Sequence, residues 1–301
     1  LIGWHSGAGC SVQPAELPKA LFPSSQQDTP TVQLRRGLIS IALVLLCAGI
    51  LLQFSELNRA WMVAVHMQPI SQDVVWLFLT NLGRGWPAFA ILAALDLGSG
   101  KRSALFFRCF LLSALLLPLM KKFFSVARPV SVMGPDALHL MGVPVTGMSS
   151  MPSGHALTAG AVLGILWLTS SHPNSKHRFD FTSWAGLFIA LLVAFSRIVI
   201  GAHWPADVVI GFGIGLLMAC AAGWHEQRKP WASSLSKGYW VWAILVLQFV
   251  CPGIMFWSAA ENPLEVVPNL LLGIGAALLA IISLRRHYLN TVLLKQVGDS
   301  H

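Results

Sequence analysis

The chain is short of charge. Only 11% of its 301 residues are Asp, Glu, Lys or Arg, against about 25% in an ordinary soluble domain. With 55% hydrophobic residues, that shortage excludes a soluble globular fold. Acidic residues are the scarcer kind, 12 against 20 basic ones. Carboxylates this sparse do not assemble the several oxygen ligands of a two-metal centre. His66, His139, His172, His177 and His225 show no ligand spacing, so neither a metal nor a cofactor is expected. Cysteine is sparse too. Cys47, Cys109, Cys220 and Cys251 lie far apart inside apolar runs, Cys10 lies before them, and no CxxC pair occurs. That pattern points to free thiols, not to a disulfide framework or a zinc site. The net charge of +8 would suggest nucleic acid in a soluble protein. No basic stripe with interleaved aromatics accompanies it, so nucleic acid is not an expected partner.

What the chain has in abundance is apolar runs of membrane-spanning length. Eight can be drawn: Gly37 to about Phe54, Trp76 to Leu97, Ser103 to about Phe124, Gly154 to about Thr169, Ser183 to about Ile200, Ala206 to Trp224, Tyr239 to about Ala259, and Pro268 to Leu284. They predict an all-α, polytopic membrane helix bundle of about eight spans, with the bilayer as its constant partner. The second run is interrupted by Asn81, Gly83, Arg84 and Gly85, so its first part reads as an interfacial turn and its span as starting near Trp86. Residues 1–34, rich in Pro, Ser and Gln at the start, read as a mobile tail without the apolar core of a signal peptide. Residues 35–227 read as a six-span core. Residues 228–301 read as an additional two-span hairpin and tail. No repeat and no soluble domain is visible, and nothing in the pattern sets an oligomeric state.

Basic residues tend to stay on the cytoplasmic side of a membrane. With the N-terminus placed there, Arg35, Arg36, Lys101, Arg102, Lys176, Arg178, Arg228, Lys229, Lys237, Arg285 and Arg286 all fall inside. The C-terminus then also lies inside. The other face holds Arg59, Arg84, Lys121, Lys122, Arg128 and Arg197. Most of these exceptions sit in three polar blocks, and basic residues on the uncharged side call for something anionic there.

The blocks are Lys121, six residues, Arg128-Pro129; then Pro152-Ser153-Gly154-His155; then Ser196-Arg197, five residues, His203, three residues, Asp207. Ser153 suits the N-cap of the helix that follows, and such a start aims free N–H groups at an anion. A phosphate ester spreads negative charge over three oxygens in its transition state. Lys121, Arg128 and Arg197 are candidates to match that charge, with N–H groups around Ser153 and Gly154 completing a cradle. Arginine's planar fork suits phosphate. His203 and Asp207 share one helical face at i, i+4, so Asp207 is placed to accept a bond from His203 and fix its tautomer. Lys122 reads as a plain helix-end anchor. Arg84 is a candidate for a substrate contact, or equally an interfacial arginine bound to lipid phosphate.

In this order the blocks resemble the signature of the type 2 phosphatidic acid phosphatase family of membrane enzymes. The likeness covers roughly residues 75 to 225, and all eleven signature identities are present. The resemblance implies a metal-independent lipid phosphatase. In that family the second histidine, here His203, is the nucleophile and forms a phosphohistidine, oriented by the aspartate, here Asp207. The first histidine, here His155, protonates the leaving alkoxide and later activates water. The implied partner is a phosphorylated lipid: phosphatidylglycerophosphate, phosphatidate, undecaprenyl diphosphate or a lipid A phosphate. The implied setting is a bacterial inner membrane with the site facing outward. Two alternatives stay open: a lipid phosphotransferase using the same site, and a non-enzymatic transporter, which would show midplane charge pairs and two matching halves. The loop from Pro129 to Met151 is expected to lie on the membrane, with Met141 and Met148 guiding lipid tails. The last two spans depart from the family's usual six.

Overall fold

The computed structural model describes residues 30–68, 73–96, 99–141, 144–170, 181–235, 239–261 and 263–298. Lys176, Arg178, Lys237, His172, His177 and Cys10 lie outside these residues, as do residues 1–29 of the expected tail. Residues 30–34 are not tail: helix α1 already starts at Pro30, where a missing N–H costs nothing.

The described residues form helices and loops. In order come α1 (Pro30–Gln53), α2 (Glu56–His66), α3 (Asp73–Leu82), α4 (Gly85–Ala94), α5 (Lys101–Phe124), α6 (Pro129–Met133), α7 (Gly154–Thr169), α8 (Phe181–Val199), α9 (Pro205–Arg228), α10 (Ala232–Leu235), α11 (Tyr239–Glu261) and α12 (Val266–Gly298). Six helices, those carrying α1, α5, α8, α9, α11 and α12, are long and apolar enough to cross a membrane. Large apolar side chains such as Val44, Leu115, Phe123, Phe188 and Trp257 stand on their outer surfaces, as lipid-facing residues do. The chain is an integral membrane protein.

Two of the eight expected spans differ. The run from Trp76 to Leu97 is two ten-residue helices broken at Gly83-Arg84, and its first part is helix α3, not an interfacial turn. Helix α7 has only 16 residues. It is buried along most of its length, packed by α5, α8 and α9, so protein, not lipid thickness, surrounds it.

The core is the α7–α9 contact. A Cβ at Gly215 would stand 2.1 Å from the Leu157 carbonyl oxygen, and one at Gly211 2.5 Å from that of Ser153. Only glycine permits this approach. Small residues at such interfaces are how membrane helices pack without a hydrophobic drive. Helix α1 lies antiparallel on α9: Gly49 meets Ile210 at one end, and Arg35 Nη1 donates to Gln227 Oε1 (2.8 Å) at the other. The α11–α12 hairpin packs on α3 and α4, with Arg286 Nη1 donating to the Ala94 carbonyl (3.2 Å).

This packing gives the bundle two ends. Arg35, Arg102, Arg228 and Lys229 collect where α5 begins and α9 finishes. There Arg102 Nε donates to Thr169 Oγ1 (3.0 Å), and Asp96 accepts the Arg102 and Ser103 N–H groups (3.0 Å each), capping α5 in place of Gly100. The three polar blocks lie at the other end.

Candidate active site

Three segments meet at that end: the close of α5, the start of α7 and the turn from α8 to α9. Helix α5 stops at Ser125, whose left-handed backbone (φ 46°) lets its N–H close on the Lys121 carbonyl. Pro129 then occupies the first position of α6, leaving Arg128 extended just before it. Arg128 N–H donates to the Gly147 carbonyl (2.9 Å) and Ser150 N–H to that of Val126 (3.0 Å), so residues 126–128 and 147–150 lie side by side. In the loop from Pro129 to Met151, Met141 is buried against Leu77 and Val199, while Met148 is exposed. Of the two methionines expected to guide lipid tails, only Met148 is placed to meet them.

Arg128 is buried. Its Nη1 donates to the Ala202 carbonyl (2.8 Å) and lies 3.3 Å from His203 Nε2, and its Nη2 donates to the Ser149 carbonyl (3.2 Å). Lys121 Nζ donates to the same carbonyl (2.7 Å), so the two cations flank one backbone oxygen. Lys122 is exposed.

Ser153 caps α7, its hydroxyl accepting from Ala156 N–H at 3.5 Å. Its own N–H donates to the Asp207 carbonyl (3.0 Å). That amide, counted from sequence among the cradle donors, therefore ties the start of α7 to α9 instead. Gly154 and His155 open the helix, where backbone N–H groups have no intrahelical acceptor.

Arg197 ends α8, buried, with Nη1 donating to Thr80 Oγ1. The chain then turns through Gly201 (φ +74°), where a side chain would be strained. The Ala202 and His203 N–H groups both fold back on the Arg197 carbonyl (3.1 and 3.2 Å). Pro205 opens α9. Asp207, three residues past the cap, accepts from Trp204 N–H (3.0 Å) and from the Ser150 hydroxyl through the same Oδ2. His203 Nδ1 lies 3.5 Å from that oxygen. Arginine can only donate, so its approach to Nε2 makes that nitrogen the acceptor and leaves the hydrogen on Nδ1, toward Asp207. Burial first, then the charges of Arg197, Arg128, Lys121 and His155, hold the His203 imidazole well below its ordinary pKa of 6.5. The ring is neutral at pH 7.

Among the described residues, four buried side-chain atoms lack a hydrogen-bonding partner: Arg128 Nε, Arg197 Nε, His203 Nδ1 and Asp207 Oδ1. All four belong to this pocket. No group of three His, Cys, Asp or Glu side chains among those residues is arranged around one point.

The structure thus brings Lys121, Arg128, Ser153, Gly154, His155, Arg197, His203 and Asp207 to one end of the bundle. Arg84 is placed differently. Its Nη2 pairs with Glu265 (2.7 Å) and its Nη1 donates to Ser258 Oγ (3.0 Å). Sequence reasoning missed Ser150, Thr80 and Asn58, whose Oδ1 accepts from Ala206 N–H at the start of α9 (3.0 Å). Thr80 had a signal, the polar break in an apolar run. Ser150 and Asn58 had none beyond being polar.

Fold and pocket together define a polytopic helical membrane protein with a buried His–Asp pair and two arginines converging at one bundle end. The model of the PAP2 superfamily matches residues 103–231, which contain every block of the signature. Over this stretch the chain is similar to the PAP2 superfamily. It is 40% identical over 84 residues to phosphatidylglycerophosphatase B of Bacillus subtilis (27% of this chain, 41% of that protein). It is 28% identical over 158 residues to lipid A 1-phosphatase of Rhizobium johnstonii (48% and 59%). It is 34% identical over 82 residues to undecaprenyl-diphosphatase of Sulfolobus acidocaldarius (27% and 35%). The matches thus span less than two thirds of each relative's length. Among solved structures, Aquifex aeolicus LpxE superposes with a TM-score of 0.47 at 24% identity, covering 56% of this chain and 96% of that one. A PAP2-type phosphatidylglycerolphosphate phosphatase from Bacillus subtilis gives 0.45 at 23%, covering 65% and 98%.

Proposed function

We propose that the chain is a metal-independent lipid phosphatase acting on a lipid phosphate monoester or diphosphate through a phosphohistidine. The observation that carries this reading is the set of unpartnered donors on Arg128 and Arg197, buried beside a neutral histidine. Buried N–H groups without acceptors are costly. An anion held between the two guanidinium groups offsets that cost, and phosphoryl oxygens fit their planar forks.

Neutral His203 directs its Nε2 lone pair at phosphorus, while Asp207, accepting from Nδ1–H, stabilises the positive charge that grows on the ring. The P–N bond forms as the P–O bond to the lipid breaks; the bound phosphate's negative charge offsets the cations around His155, so that the ring carries a proton in the complex, and that proton goes to the departing alkoxide. Arg128, freed from Nε2 when phosphorus approaches, turns to a phosphoryl oxygen. His155 then takes a proton from water, which attacks phosphorus and releases inorganic phosphate and His203. Lys121, Arg197 and the first amides of α7 hold the three oxygens.

The substrate is read as a lipid because the pocket is built from the ends of membrane helices. The three relatives are named for phosphatidylglycerophosphate, lipid A and undecaprenyl diphosphate, and these define the panel to try first. The site is read as facing the outer side of a bacterial inner membrane, since the basic residues of α1, α5 and α9 gather at the opposite end. Purified protein is expected to release phosphate from at least one lipid phosphate in the presence of EDTA, with His203→Ala as the blank. Label from a radioactive lipid phosphate should appear as free phosphate. Label kept in a second lipid would instead establish phosphoryl transfer.

A further inference from the structure

The α11–α12 hairpin lies outside the stretch matched to the superfamily, yet it reaches the pocket. Its turn carries Glu265, half-buried between the two spans. Glu265 Oε2 accepts from Arg84 Nη2 (2.7 Å), from Asn81 Nδ2 (3.3 Å) and from Asn269 Nδ2 (3.4 Å). Asn81 also donates to Asn269 Oδ1 (2.9 Å), and Arg84 to Ser258 Oγ. Asn81 and Asn269 are each 1% exposed. One carboxylate thus gathers the break between α3 and α4 onto the hairpin.

That break is also a wall of the pocket. Thr80, next to Asn81, accepts from Arg197 Nη1. Gly83, next to Arg84, lies so close to His155 that a Cβ there would stand 2.9 Å from His155 Cβ. The turn is stiff: Gly83 N–H bonds the Thr80 carbonyl and Arg84 N–H that of Asn81, both at 3.0 Å. Movement of Asn81 or Arg84 therefore carries Thr80 and Gly83 with it.

We infer that Glu265 is a positioning residue of the active site: by holding Asn81 and Arg84 it sets Thr80 against Arg197 and Gly83 against His155. The extra hairpin is then a working part of the pocket, and Arg84 is a strut in it. A polar cluster of this kind inside a membrane protein has few substitutes, since neither lipid nor apolar neighbours replace its bonds. This inference rests on the phosphatase reading above for its assay, and the test separates the two.

The full-length chain is purified in four forms besides wild type: His203→Ala, Glu265→Ala, Arg84→Gln/Glu265→Gln, and Gln248→Ala. Gln248 is a buried contact of the same hairpin, donating to Ser283 Oγ (3.2 Å) far from the pocket, so its loss reports general loosening. Glu265→Ala should lower kcat by about ten- to a hundred-fold, the scale of an ångström-sized misplacement, with KM changed by less than about two-fold. The Gln/Gln pair keeps a bond without charge and should recover most of that loss. Gln248→Ala should keep wild-type kcat even where Tm falls equally. Glu265→Ala at wild-type kcat, or both hairpin variants losing kcat alike, overturns the inference. A wild type as inert as His203→Ala on every lipid phosphate refutes the phosphatase reading instead. Wild type, Glu265→Ala, the Gln/Gln pair and Gln248→Ala are then compared by the rise in Tm with orthovanadate: among these, a rise lost only in Glu265→Ala supports the placement, and an equal rise in all, or none in wild type, overturns it.

Discussion

Two buried arginines at opposite ends of the bundle differ in what surrounds them. Arg108, 4% exposed, has every nitrogen engaged: Nη1 with Glu226, Nη2 with the Lys229 carbonyl, and Nε with His225 Nδ1 at 2.8 Å, while its guanidinium lies 4.0 Å over the Trp231 ring. Arg197, 7% exposed, donates from Nη1 to Thr80, has an unpartnered Nε, and has no ion pair among the described residues. Arg108 locks α5 to the end of α9. Arg197 holds charge in reserve. A buried arginine matched to a carboxylate serves the fold, and one left with no counter-charge and a free Nε is set up to receive an anion.

The sharpest way to break that contrast is to remove each arginine in turn. Arg197→Ala should lower kcat by about 10²–10³-fold, the usual loss of one donor to a developing oxyanion, while Tm stays near wild type. Arg108→Ala should do the reverse. It leaves Glu226 buried without its counter-charge, a change that costs roughly 3–5 kcal/mol. The lower end is expected because Glu226 also accepts from Trp231 and Ala232 N–H (3.1 and 2.9 Å). Activity per folded molecule should survive. Denaturation midpoints and kcat measured on the same preparations decide it, and matching effects in the two variants would erase the distinction.

A smaller effect tests how tightly the pocket wall is set. Gly83→Ala places a methyl 2.8 Å from Val193 Cγ1 and 2.9 Å from His155 Cβ, so one of them must move. About a ten-fold loss in kcat is expected. Gly37→Ala, where a Cβ would meet nothing within 4 Å, serves as the control and should leave kcat unchanged.

The same contrast explains what could be read without coordinates. The pocket residues are tied to chain reversals, and each block puts its cap, proline and charge within a dozen residues. The spacing of His203 and Asp207 brought the pair together, but not on the expected helical face: α9 starts at Pro205, and His203 stands in the turn before it, 3.5 Å from Asp207. The basic residues left on the sparsely charged face pointed to an anion before any contact was known. Arg84 was legible as an anomaly but not in its role, because its partner Glu265 lies 181 residues on. Ser150 and Thr80 were hidden for a related reason: a hydroxyl bonded across helices has no local pattern. The break between α3 and α4 was visible in its glycines and polar residues, yet its form was not. Hydropathy records how apolar a run is, and does not distinguish a turn from a short helix held by tertiary bonds.

The smallest effect concerns protons. His203 stands in the turn between α8 and α9, its imidazole held well below 6.5 chiefly by burial and then by the cations around it. In the unfolded chain the ring protonates as pH falls past about 6.5, while the folded ring stays neutral to much lower pH. The unfolded state then binds more protons, so stability rises with pH through this window. The contribution is complete above about pH 6.5 and is lost as pH falls toward the folded value. Wild-type Tm should therefore drop further between pH 7.5 and 5.5 than that of His203→Gln. His66, also held low mainly by burial, contributes to both and cancels in the difference. Arg128→Met then separates the two causes. Since burial outweighs the arginine's charge, it should flatten the pH dependence only in part. Flattening equal to that of His203→Gln would mean that the cations, and not the buried site, keep the ring neutral.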